Sequence, residues 1–551
     1  MNKVRDWLSH PGVPYIAVIL AVGLTIPSLW NGIVLDDIAH RNVLLADIPM
    51  SVRFMSALTL FCFSSEENTW RVREGKKLGN VPWWSPDDSQ LGFCRPFRSI
   101  THWLDYQLWP NTPVLMHLQS IAWFGILVFF VSLLYRRILG VKWVAGLAAL
   151  FFAVDPAHGM PAGWLANRNA LITGVFGVLC LLGHDQWKQR GWRPGFLLGP
   201  LCFALALLSA EAGVAIGAYL LSYTLFLERA PVRKRLIRLT PYALVFLPWV
   251  VTYVLLDCGA RNFHIYTDPL NESFLYLKAI FFRAPVYLLG QWILPVGFHY
   301  SIWPSIVHRA GLIFSVLLVV ILIPLIRKDR VAQFWAVGMV LSLLPICAVQ
   351  PGDRNLLFVG LGAMGLLAQW ICWMIPAGWN HSPGLWRVTA RIMLVIFVVI
   401  HGLIHPILLP GSSKVVAFID EQIKRAGASL PPGAEVESRM FIITNNPNFF
   451  FVAGVIGQRL NEGQFTPFLA LSSGNHPLTC MRKDLYTIEV RSANGSLTDL
   501  DNVLVSKAYA MQPGQIVRLG KVVIEVLEVT NGLPSRAEFR FRVPIDDPGL
   551  L

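Results

Sequence analysis

The chain has 551 residues, of which 54% are hydrophobic and only 14% are charged. A soluble domain carries about 25% charged residues, so the composition excludes an ordinary soluble protein and predicts a polytopic membrane protein. The formal net charge of +13 does not indicate nucleic-acid binding, because the basic residues cluster at the ends of apolar runs.

Eleven apolar segments are predicted to be membrane helices, since about 20 apolar residues cross a bilayer. They are residues 13–35, 113–135, 142–157, 164–183, 195–210, 212–227, 239–257, 309–326, 331–349, 355–375 and 389–409. The first is too long for a cleavable signal peptide and lacks a small-residue cleavage site, so it is interpreted as a membrane helix.

The positions of lysine and arginine predict the orientation, because cytoplasmic loops are enriched in these residues. Basic clusters begin at Lys3, Arg136, Lys188, Arg229, Arg327 and Arg387. All of them fall on one side if there are eleven spans and the N-terminus is cytoplasmic. We therefore expect an integral protein of a bacterial inner membrane with its C-terminal part in the periplasm.

One further apolar segment, residues 274–294, contains Lys278, Arg283 and Pro285. Counting it as a span would move the Arg327 cluster to the wrong side. We interpret it as an in-plane or re-entrant helix within an outer loop of residues 258–308.

Two domains are predicted. Residues 1–409 form the helical membrane domain, with a large outer loop of residues 36–112. Residues 410–551 have the composition of a soluble domain, with a helix at 414–426 and a strand–helix–strand unit at 440–444, 448–460 and 468–471. Four alternating segments at 485–491, 516–519, 522–529 and 537–543 are typical of strands. The fold class is thus a polytopic α-helical membrane protein with a C-terminal α/β-plus-β domain.

Acids, histidines and arginines gather at the predicted outer ends of the spans. They include Asp36, Asp37, Arg95, Asp155, His158, Arg168, Glu211, Asp353 and Arg354. Ionised groups at a membrane boundary are costly and therefore indicate function. A carboxylate can deprotonate a hydroxyl, and arginine binds phosphate bidentately. This combination suits a lipid-phosphate donor and a hydroxyl acceptor.

Five sequence strings resemble the GT-C glycosyltransferases, above all the transmembrane and tetratricopeptide-repeat O-mannosyltransferases and their bacterial relatives. The strings are LDDIAHRN (35–42), CRPFRSITHWLDYQLW (94–109), LFFAVDPAHGMPAGWLANRNALI (150–172), LSAEAGV (208–214) and GDRNLLFVGLG (352–362). They match motifs of the family in order, and the resemblance spans residues 13–409. It implies a GT-C-like membrane fold and a glycosyltransferase that uses a polyprenyl-phosphate-linked sugar.

The chain departs from the family at several positions. Asp155 stands in place of the first histidine of a pair, Ala210 in place of a lysine, and Asp353 in place of a glutamate. Val359-Gly360 replaces a Pro-Ser pair, and the domain after residue 410 stands in place of the repeats. These changes concern the sugar and the acceptor, which the sequence does not identify.

The resemblance also implies roles for individual residues. Asp36 or Asp37 would be the general base on the acceptor hydroxyl. We expect these two acids on an extended or turning segment, where neighbouring side chains point opposite ways, so that one carboxylate faces the cavity and the other has a structural role. Arg95, Arg168 and Arg354 would bind the donor phosphate, and His40, His102, His158, Glu211 and Asp353 would line the cavity. Arg168 has a second interpretation, a buried ion pair with Glu211 or Asp155. The sequence requires no cofactor and leaves a divalent cation open.

Two other function classes remain compatible with the sequence. A transporter or flippase of a lipid-linked substrate would also need polar groups in an apolar bundle, but such proteins often show inverted repeats and interrupted helices. A non-enzymatic envelope scaffold would have no need for the acids at 36–37 or the arginine at 168.

Cys62 and Cys94 share the first outer loop and either form a disulfide there or remain free.

Overall fold

A computed structural model describes residues 2–45, 58–64, 69–140, 142–263, 265–375, 384–430, 440–444, 449–461, 467–473, 477–493, 495–498 and 510–550. Within these ranges, seven helices are long and apolar enough to cross a membrane. An eighth is obtained if the bent pair Lys142–Ala153 and Pro156–Gly163 is one span. Four shorter apolar helices accompany them. The protein is therefore a polytopic α-helical membrane protein, as the composition predicts.

Every predicted span overlaps a helix. The long helices of the membrane region are Val13–Thr25, Pro113–Leu139, Lys142–Ala153, Asn169–Arg190, Gly195–Leu207, Val214–Phe226, Thr240–Leu255, Ser273–Trp292, Pro304–Ile326, Arg330–Ile346, Leu357–Met374, Gly384–Val399 and His405–Ala428. Shorter helices are Asn2–Ser9, Asp36–Leu44, Thr69–Leu78, Pro96–Leu108, Gly159–Gly163, Val232–Ile237 and Gly297–Ile302. The sequence did not predict most of these short helices, because apolar length finds spans and misses polar helices.

The helix Ser273–Trp292 has the length and composition of a span. Its hydrogen bonds run from Tyr276 to Leu344, from Arg283 to Cys347, from Tyr287 to Val349 and from Gln291 to Asp155. Its contacting residues extend along about 22 Å of helix at 1.5 Å per residue. Three of the four partners lie at the end of the helix Arg330–Ile346 or within three residues after it. The helix thus crosses the end of the bundle, and these contacts favour the in-plane interpretation.

A small antiparallel sheet joins the outer loops. Its strands are β1 (Cys62–Ser64), β2 (Gln90–Gly92) and β3 (Gly259–Arg261), in the order β1-β2-β3. An isolated bridge between Tyr266 and Val349 extends the connection to the turn before residue 357. The loops 36–112 and 258–308 therefore lie on the same side of the bundle. Three-residue strands are too short to be recognised from alternation in the sequence.

The helix Leu357–Met374 is the centre of the bundle and is mostly buried. Glycines let neighbouring aromatic rings approach its backbone, as is common between membrane helices. A Cβ atom at Gly362 would lie 2.6 Å from the Tyr219 hydroxyl oxygen, and one at Gly338 of the neighbouring helix Arg330–Ile346 would lie 2.5 Å from the Tyr219 ring. The Tyr219 hydroxyl donates a hydrogen bond to the Phe358 carbonyl.

The C-terminal domain has two sheets. The parallel strands β4 (Phe441–Ile443) and β5 (Phe468–Ala470) flank the helix Phe449–Asn461. The antiparallel sheet has β6 (Leu478–Arg482), β7 (Thr487–Ser492), β8 (Ile516–Leu519), β9 (Val522–Thr530) and β10 (Leu533–Phe541), in the order β6-β7-β10-β9-β8. The predicted strands and helix are confirmed, and β6 is an addition.

This domain packs on the first outer loop. Trp83 and Trp84 of the loop belong to the hydrophobic core of the five-stranded sheet, and the Trp83 ring lies 5.6 Å from the Phe539 ring. The helix Phe449–Asn461 contacts the helix Asp36–Leu44. The domain therefore lies on the same side as the loops. It is connected by a helical segment, Gly384–Ala428, that continues through the predicted boundary at residue 410.

These packing relations predict opposite membrane sides for two positions. Cys480 is an exposed residue of the C-terminal domain, and Lys328 is exposed at the other end of the bundle. In a background without the other cysteines, an impermeant thiol reagent applied to intact cells should label Cys480. It should label Lys328→Cys only after permeabilisation, because the basic cluster at Arg327 predicts a cytoplasmic location. Labelling of both positions in intact cells would contradict the topology.

Candidate active site

Short 3₁₀ helices form the outer turns of the bundle. They are Pro156–His158, Leu165–Asn167, Glu211–Gly213 and Asp353–Asn355. The turns Leu165–Asn167 and Glu211–Gly213 contact the first outer loop, and the turns Pro156–His158 and Asp353–Asn355 contact each other. The structure therefore brings most of the predicted polar segments to one end of the bundle.

Asp36 and Asp37 open the helix Asp36–Leu44. The prediction of an extended or turning segment at these residues was wrong. The preceding residue, Leu35, has a φ of 51°, a strained backbone conformation for a leucine that turns the chain sharply into the helix. An acid pair at a helix N-terminus is favoured by the helix dipole. This local preference prevailed over the extended interpretation.

The Asp36 side chain is exposed, although protein surrounds it on several sides. Burial among these surroundings raises the pKa of Asp36, and the charges of Arg354, Arg98 and Arg95 oppose the rise. A general base works best when its pKa approaches the working pH. Asp36 thus combines access, a raised pKa and three nearby cations.

Asp37 is buried, with 1% of its surface exposed. Its carboxyl group accepts hydrogen bonds from the Ala166 N–H at 2.7 Å and from the Val34 N–H at 3.4 Å. Burial and the neighbouring Asp36 charge raise the pKa of Asp37 to about 8, in spite of these hydrogen bonds. Asp37 therefore fastens the outer helix to the turn at Leu165–Asn167.

Arg95 and Glu211 form an ion pair, with 2.6 Å between Arg95 Nη2 and Glu211 Oε2. Both side chains remain partly exposed, at 17% and 24%. The Arg95 guanidinium also lies 4.3 Å from the centre of the Phe93 ring. An arginine with one carboxylate partner keeps further N–H groups for a second anion.

Arg354 is partly exposed and lies over the Trp164 ring at 5.2 Å. Among the residues that the structure describes, no carboxylate forms an ion pair with it. It is also the cation with the largest electrostatic effect on Asp36. Arg354 is therefore the best-placed arginine for a phosphate next to Asp36.

Arg168 has a structural position. Its side chain is fully buried and pairs with Asp105 at 2.5 Å, and it also donates to the Ser120 hydroxyl, the Gln119 side chain and the Met116 carbonyl. The buried ion pair was one of the two predicted interpretations, but its partner is neither Glu211 nor Asp155. With its donors occupied and no exposed surface, Arg168 is unsuited to the predicted phosphate-binding role.

Arg98 is a residue whose importance the sequence did not reveal. It is fully buried, and its Nη2 contacts His102 Nε2 at 2.7 Å and the Leu165 carbonyl at 2.8 Å. Its Nε and Nη1 atoms have no hydrogen-bond partner among the described residues. A buried guanidinium with unpaired donors is costly, so it marks a place for water or an anion.

The remaining predicted cavity residues are mostly buried. His40 and His102 pack around Phe61, and the His158 ring lies 4.4 Å from the Phe152 ring inside the bundle. Asp353 accepts hydrogen bonds from the N–H groups of Val296 and Gly297. The structure thus gives the three histidines packing positions and Asp353 a capping position, and Glu211 remains partly exposed beside Arg95.

Within the described ranges, no group of three or more His, Cys, Asp or Glu side chains has the geometry to hold a metal ion. The sequence left a divalent cation open.

Cys94 is a free thiol, so the predicted disulfide with Cys62 is not formed. The Cys62 side chain lies outside the described part of the structure. The neighbour of Cys94 is Cys258, because β2 pairs with β3 and these two residues flank the paired strands. A hydrogen bond from the Cys258 side chain lowers the pKa of the Cys94 thiol to about 7.

The Arg168–Asp105 pair predicts a large stability effect. Removing one partner of a buried ion pair costs about 3–5 kcal/mol, because the other charge remains buried. We expect Asp105→Ala to lower the free energy of unfolding by about that amount, measured by denaturant unfolding in detergent. As a control, Glu421→Ala removes the exposed pair with Arg425 and should have little effect. Equal small losses in both variants would contradict the assignment.

The Cys94–Cys258 contact predicts selective cross-linking. A thiol with a lowered pKa attacks disulfides readily, so an oxidised glutathione buffer should join these two residues. Mass spectrometry of proteolytic peptides should show the cross-link in the wild type and in Cys480→Ser. It should be absent from Cys94→Ser and Cys258→Ser. A Cys62–Cys94 cross-link as the main product would show that the structure has the wrong pairing.

No protein-family model and no curated protein matches the chain. Three solved structures show a coarse similarity, with TM-scores between 0.34 and 0.39. Two are of the Archaeoglobus fulgidus oligosaccharyltransferase. One of these carries a tethered acceptor peptide (13% identity, 81% of this chain covered, TM-score 0.36), and the other, named AglB, carries an inhibitory peptide and a dolichol-phosphate (14%, 83%, 0.39).

The third is ArnT from Cupriavidus metallidurans bound to undecaprenyl phosphate (15% identity, 76% of this chain and 88% of ArnT covered, TM-score 0.34). The chain spans 63% and 64% of the length of the two oligosaccharyltransferase chains.

Proposed function

We propose that this protein is an integral membrane glycosyltransferase. It transfers a sugar from a polyprenyl-phosphate donor to a hydroxyl group of a protein, glycan or lipid acceptor at the outer face. The observation that carries the proposal is the environment of Asp36, an accessible carboxylate with Arg354, Arg98 and Arg95 around it. The five sequence strings that resemble the GT-C enzymes support the same reaction.

Asp36 is the base in the proposed reaction. Its carboxylate takes the proton of the acceptor hydroxyl as the hydroxyl oxygen attacks the anomeric carbon of the sugar. The bond between the anomeric carbon and the phosphate oxygen breaks, and polyprenyl phosphate leaves with the electron pair. A single base is sufficient for such an inverting displacement.

The arginines stabilise the leaving phosphate. Negative charge builds up on its oxygen atoms as the bond breaks, and fixed positive groups near this point lower the barrier. Arg354 is available for direct contact, and Arg95 contributes the N–H groups that its pair with Glu211 leaves free. Arg98 is buried behind these two arginines and adds a third positive charge near the phosphate.

Asp37 has a supporting part in this proposal. Its carboxyl group holds the helix Asp36–Leu44 to the Leu165–Asn167 turn by accepting from the Ala166 N–H, and it also accepts from the Val34 N–H just before its own helix. The two adjacent acids thus have different roles. Asp36 faces the substrate, and Asp37 fixes the position of the helix that carries Asp36.

The proposal predicts different effects for the two adjacent acids. Asp36→Asn keeps the shape but removes the base, which typically costs about 10²–10⁴ in rate. Asp37→Asn keeps an acceptor oxygen for the backbone N–H groups and should retain most of the turnover. Because burial raises the pKa of Asp36, activity should be lost on acidification at a pH above the ordinary aspartate pKa of about 3.9. Sugar transfer from a lipid-linked donor by purified protein measures both effects.

Arg354→Gln provides a second measurement. Losing a charge-assisted hydrogen bond of about 1.5–3 kcal/mol should raise the KM for the donor by about 10- to 100-fold.

Near wild-type turnover in both Asp36→Asn and Asp37→Asn would overturn the catalytic assignment. If the wild type transfers no sugar across a panel of donors and acceptors but moves lipid between leaflets of liposomes, the protein is a flippase instead.

A further inference from the structure

A tyrosine of the second outer loop, Tyr266, lies beside the partly exposed arginines of the candidate active site. Its ring centre is 5.6 Å from that of Phe93, and the Arg95 guanidinium lies 4.3 Å from the centre of the same Phe93 ring. Tyr266 and Arg95 therefore share one aromatic neighbour. The Tyr266 side chain is itself partly exposed, so a molecule in the site can reach it.

The backbone at Tyr266 is fixed to the segment that carries Arg354. Two backbone hydrogen bonds of 2.8 Å, one on each side of Tyr266, join it to Val349 in an antiparallel bridge. The short helix Asp353–Asn355, which contains Arg354, follows soon after this bridge. The position of Tyr266 relative to Arg354 is thus set by main-chain structure and does not depend on a hydrogen bond of the phenol.

Four charged groups of the candidate active site surround the phenol. Burial raises the pKa of Tyr266, and the charges of Arg354 and Arg95 oppose the rise. The charges of Asp36 and Glu211 add to it. The result is a pKa above the ordinary tyrosine value of about 10, so the phenol keeps its proton at neutral pH. Tyr266 therefore presents an O–H donor between the base and the two arginines.

This O–H group is not used within the protein. In the part of the chain that the structure describes, the Tyr266 hydroxyl group has no hydrogen-bond partner. Two other tyrosines of the same outer loop differ, since the hydroxyl groups of Tyr276 and Tyr287 donate to backbone carbonyls. A largely enclosed polar group without a protein partner indicates a place for water or for a ligand atom.

The ligand that fits this place best is a phosphate group. Arg354 and Arg95 supply positive charge, and the phenol supplies a neutral donor whose hydrogen bond to an anion is stronger than one to a neutral oxygen. A sugar hydroxyl group could also accept from the phenol, but it would leave the two cations uncompensated. The phosphate therefore accounts for all three donor groups together.

We propose that Tyr266 is a catalytic residue that donates a hydrogen bond to the phosphate of the lipid-linked donor. The catalytic role rests on the proposed function, whereas the contact with the phosphate does not. When the bond between the anomeric carbon and the phosphate oxygen breaks, the electron pair goes to the phosphate. The phenol O–H stabilises this charge and keeps its own proton throughout.

The first test measures binding of a short-chain polyprenyl phosphate to the full-length protein in detergent by titration calorimetry. We expect saturable binding to the wild type and at least about tenfold weaker binding to Tyr266→Phe, which keeps its ring against Phe93. Tyr276→Phe is the matched control, because this tyrosine of the same loop is also partly exposed but donates to the Leu344 carbonyl. Its affinity should equal that of the wild type.

Two further ligands separate the possible causes of a loss. The corresponding polyprenol, which has no phosphate, should bind the wild type and Tyr266→Phe equally. Equimolar inorganic phosphate should not displace the polyprenyl phosphate, and displacement would reject the assignment to a lipid-linked ligand. No saturable binding to the wild type, equal binding of polyprenyl phosphate to Tyr266→Phe, or a similar loss with the polyprenol would each overturn the inference.

The second test is kinetic. In sugar transfer, Tyr266→Phe should lower kcat by about 10²–10³-fold, the usual loss when one donor to a developing oxyanion is removed. A change confined to the KM for the acceptor would show that Tyr266 contacts the acceptor instead. If Tyr266→Phe loses affinity for polyprenyl phosphate but the wild type transfers no sugar, the phosphate contact stands and the proposed function is rejected. Transfer by the wild type with unchanged rates and affinity in Tyr266→Phe would reject the inference and leave the proposed function intact.

Discussion

The ion pair between Arg168 and Asp105 determines the position of the helix Pro96–Leu108 on the membrane bundle. A charge at the edge of a membrane bundle is expensive unless a partner compensates it. Arg168 begins a membrane helix, and Asp105 belongs to the helix Pro96–Leu108 outside it. The pair therefore fixes the outer helix on the bundle, and with it the two arginines at the start of that helix. Both side chains are fully buried, so removing either one would leave an uncompensated buried charge and weaken the attachment of this helix.

A second constraint separates the two adjacent acids. Residues that follow each other in a helix point in directions about 100° apart, so Asp36 and Asp37 cannot share one environment. Asp37 is buried against backbone N–H groups, and Asp36 is left to the open side with the arginines. The strained backbone at Leu35 sets this helix start.

Much of the fold could be predicted from the sequence. Apolar length located the spans, and alternation located most strands of the C-terminal domain, because both patterns are local. The partner of Arg168 could not be found, since Asp105 is 63 residues away in a segment that looked like an exposed loop. The contribution of Trp83 and Trp84 to the core of another domain was equally hidden, because an aromatic pair in a loop is typical of an interfacial belt.

The residue types of the site could be predicted from the sequence, but the burial and the partners of these residues could not. The acids and arginines were recognised because charge at a membrane boundary is rare. Their accessibility was not, because burial depends on packing between segments far apart in the chain. Arg98 shows this most clearly, since its sequence context resembles that of Arg95 while its surroundings are closed.

The helical segment Gly384–Ala428 runs without a break from the membrane into the C-terminal domain. Its 45 residues correspond to about 67 Å of helix. The π-helical stretch Ile400–Ile404 and Pro410 both interrupt the regular hydrogen bonding of this segment, and such places yield more easily than regular α-helix. The segment therefore connects the membrane bundle to the domain as one long helix that bends most easily near residues 400–410. A change of tilt within the bilayer would move the domain and the first outer loop together, because Trp83 and Trp84 of the loop belong to the core of the domain.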